Sequence, residues 1–223
     1  PSGEYTQIRF MLGAPEDNDT VPASPGSWIE KGTDNDEEYT DGEDSPLFVP
    51  SGAQTGYKAS VAEGSTFSVP VNGSVEITAD FDLRRAVVVA GGGDKYLLKP
   101  VLRLVVNNQA GGISGNIEGA TELTDGNSYV VYAYENIVDD IVEESEPDGD
   151  GVRFSNAVNS SELIELADEA DYVLAYLAEG SYDLYGAEYD AAGDFQGVTS
   201  LGSDVEVTAG ETSSYDLLDV TWE

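Results

Sequence analysis

Tyr5-Thr6-Gln7-Ile8-Arg9-Phe10-Met11-Leu12 is the stretch that decides the fold class. Ile8, Phe10 and Leu12 fall on one side of an extended chain, and Gln7 and Arg9 on the other. That period of two is the pattern of a half-buried strand. Comparable runs follow at Gly56-Tyr57-Lys58-Ala59-Ser60-Val61, Thr66-Phe67-Ser68-Val69, Ser74-Val75-Glu76-Ile77-Thr78-Ala79-Asp80-Phe81 and Ala86-Val87-Val88-Val89. A longer run covers residues 96–106 and holds Pro100, which has no N–H for a ladder and so marks an edge or a bulge. Gly91-Gly92-Gly93 reads as the hairpin turn between two of these strands, since it lacks the spacing of a phosphate-binding loop.

Past Asn107-Asn108-Gln109-Ala110-Gly111-Gly112 a second set begins, at 113–117, 129–134, 172–177, 181–188, 205–208 and 214–222. Many short strands with Gly-rich turns predict an all-β chain. The expected arrangement is two consecutive Ig-like or transthyretin-like β-sandwich domains, residues 1–108 and 109–223. Ser160-Ser161-Glu162-Leu163-Ile164-Glu165-Leu166-Ala167-Asp168 departs from the pattern and predicts one short helix near 160–170, with Asn159 as its N-cap and Glu162 reaching back. Residues 13–55 are polar and rich in Pro and Asp, and read as a long acidic surface insertion in the first domain. Leu47-Phe48-Val49 is the apolar piece expected to pair within it.

Asp and Glu number 44 against 9 Lys and Arg, a formal net charge of −35 on 223 residues. Such charge strains a compact fold by self-repulsion in ordinary salt. At about 1 M salt the Debye length falls to about 3 Å and the repulsion is screened. The chain is therefore read as built for a hypersaline environment. The same charge argues against nucleic acids and anionic membranes as partners. No apolar run reaches the length of a membrane helix, and no signal peptide is visible, so the chain is expected to be a mature or trimmed form. His and Cys are absent, which removes imidazole bases, Ser-His-Asp triads, thiol nucleophiles and disulfides. Carboxylate pairs, Lys, Tyr and Ser with Lys are the catalytic groups that remain.

Several stretches, in order, resemble an uncharacterised domain family of surface proteins and lipoproteins from archaea and bacteria. Gly3-Glu4-Tyr5-Thr6-Gln7-Ile8-Arg9-Phe10 is similar to its "GxYxQIRL" strand, Pro50-Ser51 and Gly56-Tyr57-Lys58 to its "PSG…GLK" segment, Ala79-Asp80-Phe81-Asp82-Leu83 to its "DFD" strand end, and residues 96–104 to its "YxLKPVIRLV". The resemblance implies a secreted β-sandwich and no particular activity. From Gly112 onward the chain resembles carboxypeptidase-regulatory-like and other transthyretin-like sandwiches, through Gly112-Ile113-Ser114-Gly115-Asn116-Ile117, Val130-Val131-Tyr132-Ala133-Tyr134 and the turn Leu177-Ala178-Glu179-Gly180-Ser181-Tyr182-Asp183-Leu184. Such domains are usually structural spacers. The first family opens with further strands ahead of "GxYxQIRL", so the first domain is expected either to have lost N-terminal strands or to have a vacant strand position.

The candidate sites each have a plainer alternative. Asp34, Asp36 and Glu38, and Asp139 and Asp140 with Asp148 and Asp150, offer carboxylates of the kind calcium prefers, although neither run has the EF-hand spacing. Solvated surface explains them equally at this composition, and is the reading favoured. Arg84, Arg85, Lys95, Lys99 and Arg103 form a basic cluster, expected to pair with Asp80, Asp82 and Asp94 rather than to bind an acidic polymer. Tyr172, Tyr176, Tyr182, Tyr185 and Tyr189 are either a sugar-stacking platform or the core and rim of a sandwich, the second being favoured. Asn18, Asn72 and Asn159 head Asn-x-Ser/Thr sequons in expected turns. Tyr5, Ile8, Phe10 and Leu12 are the apolar positions of a strand available for donation to a neighbouring subunit.

The sequence thus points to a non-enzymatic, extracellular structural protein of a halophilic microbe, needing no cofactor unless calcium binds. Its expected partner is itself, in a surface filament or sheath built by strand donation. The alternatives are a monomeric calcium- or glycan-binding surface module and, in a third class, a carboxylate-pair glycosidase.

Overall fold

The computed structural model describes residues 1–11, 27–29, 44–49, 55–61, 66–90, 95–118, 126–135, 140–147, 152–166 and 169–218. Among these the chain is all-β, with two short helices. It divides into two compact units. One holds Pro1–Val75, Ala79–Leu104 and Asp148–Val152; the other holds Glu76–Thr78, Val105–Pro147 and Arg153–Glu223.

The first unit carries β1 (Gly3–Tyr5), β2 (Gln7–Phe10), β3 (Trp28–Ile29), β4 (Ser45–Phe48), β5 (Tyr57–Ser60), β6 (Phe67–Val69), β7 (Ile77–Phe81), α1 (Leu83–Ala86), β8 (Val87–Ala90), β9 (Lys95–Leu98) and β10 (Leu102–Val106). The dividing lines fall within β7 and β10. The single run of alternation at the N-terminus is broken by a bend at Thr6 and serves two sheets. β1 pairs antiparallel with β6, and the Tyr5 ring stacks on Phe67 at 5.5 Å. β2 pairs antiparallel with β5 and is an edge of the sheet ordered β2-β5-β10-β7. In β5, Tyr57 and Ala59 are buried and Lys58 and Ser60 exposed, as alternation demands.

A further sheet runs β3-β4-β9-β8. The expected strandless insertion therefore contributes two strands. Trp28 pairs with Pro46 and Ile29 with Ser45, while Leu47 and Phe48 run parallel to Tyr96 and Leu97. β8 and β9 form the expected antiparallel pair, Ala90 opposite Lys95, with the Gly91-Gly92-Gly93 turn outside the described residues. The expected long strand at 96–106 is two strands, because Pro100 cannot extend a ladder. Beside the break, Lys99 N–H donates to the Ala86 carbonyl (2.6 Å) and Val101 accepts from Asp82 N–H (3.1 Å). Asp82 caps α1 by accepting from Arg85 N–H.

The second unit opens with a 3-10 turn at Asn107–Gln109 and continues with β11 (Ala110–Glu118), β12 (Ser128–Tyr134), α2 (Ile141–Ser145), β13 (Asn159–Glu162), β14 (Ile164–Leu166), β15 (Glu169–Ala178), β16 (Gly180–Tyr189), β17 (Phe195–Val207), β18 (Thr212–Ser214) and β19 (Leu217–Leu218). One sheet is ordered β14-β15-β11-β18, with β19 also on β11; the other is β13-β12-β16-β17. The buried side chains of both sheets form one cluster: Ile113, Tyr172, Leu174 and Leu177 from the first, Val131, Tyr182, Leu184, Val205 and Val207 from the second. Burial of each such leucine or valine stabilises the unit by roughly 1.5–3 kcal/mol. Glycines in β11 permit the close approach of the C-terminal strands. A Cβ on Gly111 would collide with the Thr208 carbonyl, and one on Gly115 with the Tyr215 carbonyl.

The short helix expected near 160–170 is not formed. Asn159–Glu162 is a strand pairing with β12, Val130 opposite Glu162 and Ala133 opposite Asn159. Leu163 is buried, its N–H donating to the Tyr129 carbonyl, and Ile164–Leu166 pairs with β15. A short apolar run fits either period, and here the open edges of β12 and β15 decide it. Asn159 does not cap a helix; its Oδ1 accepts from the N–H of Ser160.

Candidate functional site

The tyrosines of the second unit show what its polar groups do. Tyr172 is buried, and its hydroxyl donates to the Tyr215 carbonyl at 2.6 Å. Burial pushes its pKa well up, assisted by Tyr215 and Asp216. Tyr182 is buried and donates to the Ala178 carbonyl at 2.8 Å. The hydroxyls of Tyr132 and Tyr189 meet at 2.9 Å. Tyr185 packs edge-on against Tyr134, its pKa raised by burial and by Asp183. Glu188 accepts from Tyr129 and from the Asn127 amide, both at 2.8 Å. The buried Asp183 accepts from Asp204 N–H at 3.1 Å, where Asp204 is left-handed at φ 55°.

Tyr176 is different. It is 44% exposed, and its backbone is left-handed at φ 57°. The cause is a bulge: Gly111 pairs with Leu177 and Ile113 with Leu174, so Gly112 faces both Ala175 and Tyr176. Tyr176 borders an open depression of about 270 Å³, bounded also by Asn107, Gly111, Gly112, Val173, Glu211 and Thr212 among others. Asn107 Oδ1 accepts from the Thr78 hydroxyl at 2.8 Å. The sequence contains no signal for this bulge, because Leu-Ala-Tyr-Leu at 174–177 carries no turn residue.

Of the carboxylates considered for calcium, Asp34, Asp36, Glu38, Asp139, Asp148 and Asp150 lie outside the described residues. Asp140 caps α2, its Oδ1 accepting from the N–H groups of Val142 and Glu143 at 2.9 and 3.2 Å. Among the described residues no group of three or more His, Cys, Asp or Glu side chains is placed to hold a metal ion. Asn18 lies outside them as well. Asn72 is exposed in the turn closed by Gly73 N–H on the Pro70 carbonyl. Asn159 donates from Nδ2 to the Ala175 carbonyl at 2.6 Å.

Tyr5, Ile8 and Phe10 sit in strands paired within their own chain, and Leu12 lies outside the described residues. Residues 3–5 pair with β6 and residues 7–10 with β5, and among the described residues β2 is an edge of its sheet. Two of the five residues of the basic cluster pair locally, Arg84 with Asp82 at 2.9 Å and Arg103 with Asp80 at 2.7 Å. No helix among the described residues is long and apolar enough to cross a membrane.

A model for a domain of unknown function (DUF4382) matches residues 1–100, a little under half of the chain. No curated protein sequence matches. Two solved structures are similar in part. A "putative adhesin" from Bacteroides ovatus is 15% identical with a TM-score of 0.24, covering 58% of this chain and 46% of that one. A "putative cell adhesion protein" from Bacteroides uniformis is 14% identical with a TM-score of 0.25, covering 78% and 79%. The chain thus spans less than half the length of the Bacteroides ovatus protein.

Proposed function

We propose that the chain is a non-enzymatic structural module of the extracellular cell surface of a halophilic microbe. In this reading the two units are consecutive Ig-like or transthyretin-like β-sandwiches, and copies of the chain associate into a filament or sheath. One observation carries it. Four buried side chains of the second unit spend their polar groups within that unit: Tyr172 on the Tyr215 carbonyl, Tyr182 on the Ala178 carbonyl, Asp183 on the Asp204 N–H, and Tyr129 on Glu188. Groups used in this way hold strands and links of the unit together and are not offered to a substrate. The net charge of −35 supports the saline setting and argues against nucleic acid and membrane partners.

The route of association is edge pairing in preference to donation. Donation of residues 3–10 first requires β1 to leave β6 and β2 to leave β5. β17, by contrast, is thirteen residues long, and among the described residues pairs only with β16. A long edge of that kind is a template for another strand. Pairing between unlike edges is heterologous and grows into a filament unless the rotation closes a ring.

Negative-stain micrographs and light scattering of the purified chain in about 1 M salt test this. Repeating subunits and a mass that rises with concentration are expected. A monomer at every concentration overturns the assembly, and turnover of a glycan or peptide, lost on replacing one Asp or Glu without loss of fold, overturns the non-enzymatic assignment.

A further inference from the structure

We propose that the depression beside Tyr176 is a carbohydrate site that takes one ring of a neutral glycan against the tyrosine face. The inference is independent of how copies of the chain associate. A bulky residue at φ 57° occupies a region that side chains with a Cβ avoid and glycine enters freely. Such a conformation persists where the surrounding structure enforces it, and it clusters where a side chain has to be aimed.

The bulge aims this one outward. Tyr172 and Leu174 point inward and Val173 points out, so strict alternation would bury residue 176 and expose residue 177. With one extra residue opposite Gly112, Leu177 is fully buried and Tyr176 is presented to solvent. The other four tyrosines considered as a sugar platform are packed: Tyr172 and Tyr182 in the core, Tyr185 and Tyr189 against Tyr134, Tyr132 and Phe195. Tyr176 alone among the five is exposed.

The surroundings fit a sugar ring. Gly111 and Gly112, which carry no side chain, and Val173, 57% exposed, are among the residues that bound the depression. Asn107, Glu211 and Thr212, whose side chains end in an amide, a carboxylate and a hydroxyl, also bound it. A pyranose has a C–H face that packs on an aromatic ring and a rim of hydroxyls that need donors and acceptors. An apolar floor with a few placed polar groups is what such a ligand requires. The volume of about 270 Å³ limits the site to a ring or two. Glu211 and the net charge of −35 repel sulfated and uronic acid sugars, so the glycan is neutral.

The test uses the full chain and four probes, cellohexaose, maltohexaose, mannohexaose and N-acetylchitohexaose, with a sulfated oligosaccharide as the acidic control. Calorimetric titration should show at least one neutral probe binding and the sulfated one not. Tyr176→Ala should weaken binding about tenfold or more. Tyr176→Gly should weaken it equally while leaving the melting temperature unchanged or raised, because glycine accepts the left-handed backbone. Tyr172→Phe, a core change, should leave affinity unaltered. The proposal is overturned if no neutral probe binds up to about 10 mM, if the sulfated probe binds best, if Tyr176→Ala binds like the parent, or if Tyr176→Gly melts several degrees lower, which would make the ring a structural prop.

Discussion

The hydroxyl of Tyr172 in β15 donates to the backbone carbonyl of Tyr215, in the link between β18 and β19, at 2.6 Å. Gly115 lies against that same carbonyl, where a Cβ would collide with it. Hydrogen bond and glycine together let the C-terminal strands lie along β11. Tyr172→Phe should cost about 0.5–1.5 kcal/mol, the usual net worth of such a bond. Gly115→Ala should cost more, about 1–3 kcal/mol, because backbone has to move. Thermal melts of the two variants check the order; a Gly115→Ala chain as stable as the parent would sink it.

Burial of tyrosine has a consequence at alkaline pH. Tyr57, Tyr172 and Tyr185 all have pKa values above the ordinary 10.0, with desolvation the largest cause in each. A raised pKa means that the unfolded chain releases these protons first. Their contribution is complete below pH 10 and is lost as pH rises from there, at up to about 1.4 kcal/mol per pH unit for each group. The stability curve should therefore fall above about pH 10, and Tyr172→Phe should flatten that fall. An identical slope in parent and variant speaks against the assignment.

The strand signals are legible where side chains alternate. Tyr129 to Tyr134 and Ser181 to Glu188 lie inside β12 and β16 because their apolar residues face a shared core. The local pairing of Arg84 and Arg103 with acids is legible too, from chemistry alone. The first part of β17 is not, since Gly197, Ser200, Gly202 and Ser203 offer no pattern and the strand is held by its ladder to β16. Residues 160–166 read as helix in the sequence because their period is ambiguous and the deciding partners, β12 and β15, are not local to the run. The Tyr176 bulge is a matter of register with β11, which no local signal carries.

The two described sequons differ in what glycosylation would require. The sugar bond forms at the Asn Nδ2 atom. In Asn159 that atom donates to the Ala175 carbonyl, and Oδ1 accepts from Ser160 N–H. Asn72 stands exposed in a turn, left-handed at φ 58°, next to Val71, which is 76% exposed. The folded chain, incubated with a sequon-specific N-glycosyltransferase and its nucleotide-sugar donor, should gain hexose at Asn72 and none at Asn159. Glycopeptide mass spectrometry decides it, and hexose on Asn159 with Asn72 bare refutes the distinction.

Salt should stabilise the fold, and the sign follows from the count. Even if all 9 basic residues paired with acids, 35 of the 44 Asp and Glu would be left without a counter-charge. Salt weakens both attraction and repulsion, so the stronger of the two sets the direction, and here that is repulsion. The surface pairs Arg84–Asp82 and Arg103–Asp80 are part-exposed and contribute little that screening can remove. The melting temperature should rise steeply from roughly 50 mM NaCl, where the Debye length exceeds 10 Å, and flatten near about 1 M, where it is about 3 Å. Sodium sulfate at matched ionic strength should add a further rise, because excluded salts also strengthen apolar burial. Calcium chloride at matched ionic strength separates screening from site binding: a jump at millimolar calcium would mean that a specific carboxylate cage exists. An unchanged melting temperature between roughly 50 mM and 1 M NaCl would show that the acids are not mutually strained, and the hypersaline reading would fall with it.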